Sequence, residues 1–135
     1  MNKEQIISNT VSFVKETLKN AEGGHDWFHI LRVWNNAKLI AKNEQVAVFV
    51  VELGALLHDI ADSKFYNGDE TVGPKVARAF LESEKVPDEI ILHIENIINN
   101  ISYKNKLMNN FFYINIVGTS VFKNTTLYLG FQKCE

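Results

Sequence analysis

A chain of 135 residues that is 46% hydrophobic, 22% charged and 11% aromatic has room for one folded domain, and its composition excludes wholesale disorder and collagen-like repetition. A formal net charge of −2 leaves no global footprint for nucleic acid or an anionic membrane, and the single cysteine, Cys134, excludes an intrachain disulfide or a multi-cysteine zinc cluster. No apolar run approaches the roughly 18–20 residues of a membrane span, and the N-terminus MNKEQIISNTVSFVKE is too polar for a secretory signal, so a cytoplasmic protein is expected.

The first predicted helix covers residues 3–20, where Ile6, Ile7, Val11, Val14 and Leu18 recur at helical spacing with Phe13 at the edge of the stripe. The Gly23-Gly24 pair then reads as a helix stop. Asp26 is a good N-cap for a second helix, in which Phe28, Leu31, Val33, Trp34, Ala37, Ile40 and Ala41 lead to about Glu44. Residues 46–60 are apolar nearly all round, the pattern of a central buried helix. After a polar loop ending Asn67-Gly68-Asp69, a fourth helix begins near Thr71 to Pro74 and runs to about Glu84. A fifth follows Pro87-Asp88 with a stripe of Ile90, Ile91, Ile94, Ile97, Ile98 and Ile101.

Beyond residue 104 the character changes. Residues 1–104 carry 15 acidic and 11 basic groups, whereas residues 105–135 carry one glutamate and three lysines, so a balance of −4 is followed by one of +2. The last segment is rich in aromatic and β-branched residues and broken by Gly118 and Gly130, which predicts short strands or a poorly ordered tail rather than helix.

Three of the four histidines lie beside carboxylates or near them. His25 and His29 are four apart, and share a face if one helix includes both. His58-Asp59 ends the central apolar segment, where an imidazole and a carboxylate are costly to desolvate unless something satisfies them. A divalent cation does so with its normal mixed ligands. A capped histidine hydrogen-bonded to a carbonyl at a helix C-terminus is the plainer alternative. Arg32 taken alone reads as a surface or ion-pair residue, and Trp27, Phe28 and Trp34 read as packing residues.

The pattern H-D-W-x-H-x-x-R-V, followed by an apolar segment ending L-L-H-D-I-A-D, resembles the HD-domain metal-dependent phosphohydrolases, and most closely their stand-alone bacterial branch. Gly68-Asp69-Glu70, the stretch GPKVAR from Gly73 to Arg78, and IINNISYK from Ile97 to Lys104 agree with that branch in order and spacing. The resemblance covers roughly residues 20–104. It implies an all-α, HD-domain-like bundle of about five helices around a divalent cation, manganese or magnesium foremost, with iron or another transition metal as the alternative. Carried over residue by residue, it makes His29, His58 and Asp59 the metal ligands. It makes Asp62 the acceptor of a proton from the attacking water, one helical turn from Asp59 if the helix persists. The resemblance also makes Arg32, together with Lys64 and Lys104, a candidate for holding the reacting phosphate, and His25 and His93 candidates for contacting substrate or a second cation, with an ordinary structural role as the alternative for the two histidines. Asp26 and Glu70 read as a helix cap and a loop carboxylate.

The family's metal set ends in a later aspartate, and this sequence has none after Asp88. Residues 1–104 are therefore expected to form a partial HD domain. Residues 105–135 are expected to be unrelated to the family, as a frameshift or early stop in an AT-rich gene would make them, with a divergent but genuine ending as the alternative. The implied activity is hydrolysis of a phosphomonoester or pyrophosphate bond in a small phosphorylated metabolite, a nucleotide foremost, and weakened by the absent ligand. The other reading is a non-catalytic metal- or nucleotide-binding module, or an inactive relic. The expected partner is the small substrate, with no nucleic acid polymer and no membrane; a homodimer is an open alternative.

Overall fold

Asn2 starts the first helix in this computed structural model, which describes residues 1–21, 26–61, 66–69 and 71–101. Its side chain accepts a hydrogen bond from the Gln5 backbone N–H at 3.0 Å, capping α1 (Lys3–Thr17). The helix stops short of the glycine pair. Leu18 is already its C-cap, with its backbone N–H bonded to the Val14 carbonyl. Ile6, Thr10 and Val14 form the buried stripe, and the Thr10 hydroxyl is satisfied within it by donating to the Ile6 carbonyl at 2.7 Å.

Asp26 caps α2 (Trp27–Ala41) as expected: its backbone is extended and its carboxylate accepts from the His29 N–H at 3.1 Å. The helix proper opens at Trp27, and the expectation that His25 shares a face with His29 falls on a residue outside the described ones. The stripe that α2 buries is Ile30, Val33, Ala37 and Ala41. Phe28 lies away from it and is 64% exposed, which corrects its reading as a packing residue. Trp27 and Trp34 do pack, partly buried, against the core.

The central helix, α3 (Val48–Leu57), buries eight of its ten residues, and α1, α2 and α5 all pack on it. It ends at Leu57, with His58 as C-cap and a turn beyond it. Residues 58–61 do not continue the helix, and Asp62, expected one turn from Asp59 if the helix persisted, lies outside the described residues. The turn at residues 66–69 uses left-handed backbone at Asn67 (φ 57°) and Gly68 (φ 80°). Asp69 there accepts from the Thr71 N–H at 2.9 Å and the Thr71 hydroxyl at 2.6 Å, and these bonds hold its carboxyl below the usual range.

Helix α4 (Val72–Ser83) carries Pro74 in its first turn, where a missing N–H costs nothing, and Phe80 stacks on Phe13 of α1 with centroids 4.2 Å apart. Its C-terminus closes through two backbone bonds, Lys85 N–H to the Glu82 carbonyl at 3.0 Å and Val86 N–H to the Leu81 carbonyl at 3.1 Å. This closure forces Lys85 to a φ of 60°, a conformation that glycine adopts without penalty. Lys85→Gly is accordingly expected to stabilise the fold by roughly 0.5–1 kcal/mol, read as a higher urea midpoint at an unchanged slope.

Helix α5 (Asp88–Ile101) buries Ile91, Ile94, Ile97 and Ile98 and pairs with α4. Arg78 of α4 joins the two at the surface. It forms a two-pronged bond to Glu95 at 2.7 and 3.0 Å and reaches Asp88 at 2.8 Å and Glu82 at 3.0 Å. These carboxylates keep the guanidinium even more firmly protonated than usual. The described residues thus form an all-α bundle of five helices with no strand among them. None of these helices is long and apolar enough to cross a membrane. The tail expected to be β-prone lies outside the described residues.

Candidate metal centre

Two neighbouring helices carry the ligand-type side chains. His29 sits in the first turn of α2, placed there by the Asp26 cap, while His58 and Asp59 come directly after the buried end of α3. Their potential ligand atoms, one from each residue, all lie within 4.8 Å of one another, and all three residues are half-buried. The His29 and His58 rings meet edge to face, with centroids 5.7 Å apart and planes at 63°.

The donor set fits a divalent cation. Metal–ligand bonds of about 2.1 Å separate neighbouring ligand atoms by roughly 3–4 Å, so small side-chain adjustments would bring these three onto one ion. His58 is oriented for that role by its own helix. Its Nδ1 lies 2.7 Å from the Ala55 carbonyl, and a ring whose Nδ1–H donates to a backbone oxygen presents Nε2 as its ligand nitrogen. The capped-histidine and metal-ligand readings of His58 are therefore compatible: the backbone bond fixes the tautomer that a metal would require. Two imidazoles and one carboxylate suit manganese, iron and zinc, and are a poorer match for magnesium, which prefers oxygen.

The remaining site candidates divide by position. Arg32 is exposed on α2, three residues and so about one helical turn beyond His29. His93 is half-buried on α5. Asp62, Lys64, Lys104 and His25 lie outside the described residues. Sequence reasoning gave His58 a helix carbonyl as its alternative partner without naming it, and the structure identifies it as that of Ala55. Sequence reasoning did not find the bond from Trp34 to Glu52, which joins α2 to α3 at 2.9 Å and has no local signature.

Burial holds the His93 imidazole below its ordinary value of 6.5. The unfolded chain takes up this proton near that value, while the folded protein resists it. Stability contributed by neutral His93 is therefore present above about pH 6.5 and is lost on acidification through the lowered folded value. Urea midpoints at about pH 7.5 and about pH 5.5 should fall less between the two for His93→Gln than for the native chain.

The HD domain family model matches residues 27–111, seven residues past the expected boundary at 104. The uncharacterized protein YpgQ of Bacillus subtilis is 40% identical over 53 residues, which are 39% of this chain and 26% of that protein. Among solved structures, an HD-superfamily hydrolase from Bacillus thuringiensis is 33% identical with a TM-score of 0.71, over 89% of this chain and 57% of that one. A protein of Listeria innocua is 30% identical with a TM-score of 0.68, over 90% and 56% respectively. A predicted HD superfamily hydrolase from an uncultured Thermotogales bacterium shares the fold, with a TM-score of 0.73 at 20% identity over 98% of this chain and 82% of that one. The chain spans little more than half the length of the Bacillus and Listeria structures. With a family match over more than half of its residues and the histidines and aspartate of the motif gathered at one point, the chain belongs to the HD domain family.

Proposed function

We propose that this chain is a metal-dependent phosphohydrolase acting on a small phosphorylated metabolite, with nucleotides the foremost class. The observation that carries this reading is the convergence of His29, His58 and Asp59 within 4.8 Å on an HD-family bundle. A divalent cation held by these three would supply an acidified water and neutralise charge on the phosphoryl oxygens. Around it, His58 contributes through the orientation that the Ala55 carbonyl imposes, and Asp59 contributes the negative charge that two neutral imidazoles lack. Arg32, Lys64 and Lys104 are assigned to hold and position the phosphate, which is most of what phosphoryl transfer asks of a protein. Asp62 takes the proton of the attacking water, and His25 and His93 approach the substrate or a second cation. No P-loop or Gly-rich dinucleotide fingerprint competes with this reading.

Only one of the three ligands is anionic, which supports a weaker cation site than one with a second carboxylate. Manganese titration by calorimetry tests the site directly: one ion per chain, bound more weakly than micromolar, is expected, and micromolar affinity would show that a second carboxylate is dispensable. A panel of nucleoside mono-, di- and triphosphates, sugar phosphates and p-nitrophenyl phosphate, assayed with manganese, then tests turnover. Cation binding with no hydrolysis of any of them would favour a non-catalytic metal-binding module. No cation binding would remove the proposal.

A further inference from the structure

We propose that Trp34 and Glu52 are positioning residues for the metal centre. Their hydrogen bond fixes how far α2 is offset along α3, and hence the spacing of His29 from His58 and Asp59. The inference rests on the metal reading of the site and gives it a control point at a distance from the ligands.

Each helix carries part of the centre. His29 belongs to α2, and His58 and Asp59 come after α3, so the site exists only while these two helices keep one relative position. A helix is stiff along its axis and rises about 1.5 Å per residue, so Trp34 stands roughly 7.5 Å from His29 along α2, and Glu52 roughly 9 Å from His58 along α3. An axial slip at the first pair is therefore passed to the second almost undiminished. A slip of about one turn, 5.4 Å, would exceed the 4.8 Å within which the ligand atoms now lie.

Packing contributes to that offset through Ile30 and Val33, the larger side chains of the face that α2 buries, but it supplies no directional bond. The face that α2 buries ends in Ala37 and Ala41, side chains with little relief to interlock, and apolar burial is non-directional. The Trp34 Nε1–H donating to Glu52 Oε1 at 2.9 Å is directional and weakens steeply with misalignment. The indole is itself held on two sides. The Lys38 ammonium lies 4.1 Å from its ring centre, and Trp27 tilts against it with centroids 6.4 Å apart. Trp27 in turn lies under the Lys15 ammonium of α1 at 5.1 Å. The donor is thus aimed by its surroundings before it meets Glu52.

The test uses the full chain and manganese as the probe. Trp34→Phe and Glu52→Met are each expected to weaken manganese affinity roughly tenfold, the scale of losses seen when the support of a metal ligand is removed. The double variant should be no weaker than the worse single one, because both remove one bond. Glu52→Gln, which keeps an acceptor oxygen, should stay within about twofold of the native affinity. A nuclear Overhauser contact between the His29 and His58 rings gives a second, metal-free readout, expected to fade in Trp34→Phe and Glu52→Met and to persist in Glu52→Gln. A purely structural role would lower the melting temperature of these variants while leaving affinity and ring contact unchanged, and that result overturns the proposal. If the native chain binds no manganese, the metal reading fails and the ring contact alone decides the positioning. If Trp34→Phe does not fold, the contrast between Glu52→Met and Glu52→Gln decides it.

Discussion

Replacing His58 and Asp59 together by alanine is expected to abolish manganese binding and to lower any phosphatase activity by at least roughly 1000-fold. The pair supplies two of the three converging ligand groups and the only negative charge among them. A single imidazole at His29 would remain, and one neutral ligand does not hold a divalent cation against water. Even losses confined to the groups that support ligands cost about 10–100-fold, so removing the ligands themselves should cost more. The fold should survive. Both residues are half-buried at a helix end, outside the aliphatic core, and substitutions in such places move stability by about 1 kcal/mol or less. Circular dichroism and melting should therefore match the native chain while the calorimetric signal disappears. Hydrolysis at native rates in the double variant would remove the metal mechanism altogether.

This pair was legible because its signal is local: two adjacent residues that burial makes expensive, at the end of an apolar run. The start of α2 was legible for a similar reason, since an N-cap aspartate such as Asp26 satisfies backbone donors only on its C-terminal side. The limits of α3 were not. It opens at Ala47, whose methyl offers no cap, and its apolar pattern runs on past Leu57 to Ile60, which is 4% exposed although outside the helix. Hydrophobic pattern reports burial, and burial continues after the helix has stopped. Its early end matters, because the one-turn spacing of Asp62 from Asp59 was expected only if the helix persisted, and residues 58–61 are not helical. Phe28 shows the opposite failure, a large apolar residue read as core that faces away from the buried stripe. Contacts such as Phe13 with Phe80 or Trp34 with Glu52 join residues far apart in the chain, and no periodicity within one segment encodes them.

Leu53→Ala is expected to destabilise the fold by about 3 kcal/mol and to lower its melting midpoint by roughly 10–20 °C. Leu53 is fully buried in α3, the helix on which α1, α2 and α5 all rest, so the deleted methyl groups leave a cavity with helices on several sides. No single helix can move inward to fill it without losing its packing elsewhere, which places the cost in the middle of the range for buried leucines. Against a typical stability of about 5–15 kcal/mol this is a large fraction. The contrast with the His58 and Asp59 variant is informative because both changes lie on or beside the same helix. Leu53 is more than a turn away from the ligands, so in the cold, where the variant remains folded, its manganese affinity should stay within about threefold of native. One substitution then removes stability and spares the site, and the other removes the site and spares stability. A Leu53→Ala chain that is folded yet binds no manganese would mean that the ligand spacing is set by core packing on α3, and would count against a bond at the α2–α3 interface as its control.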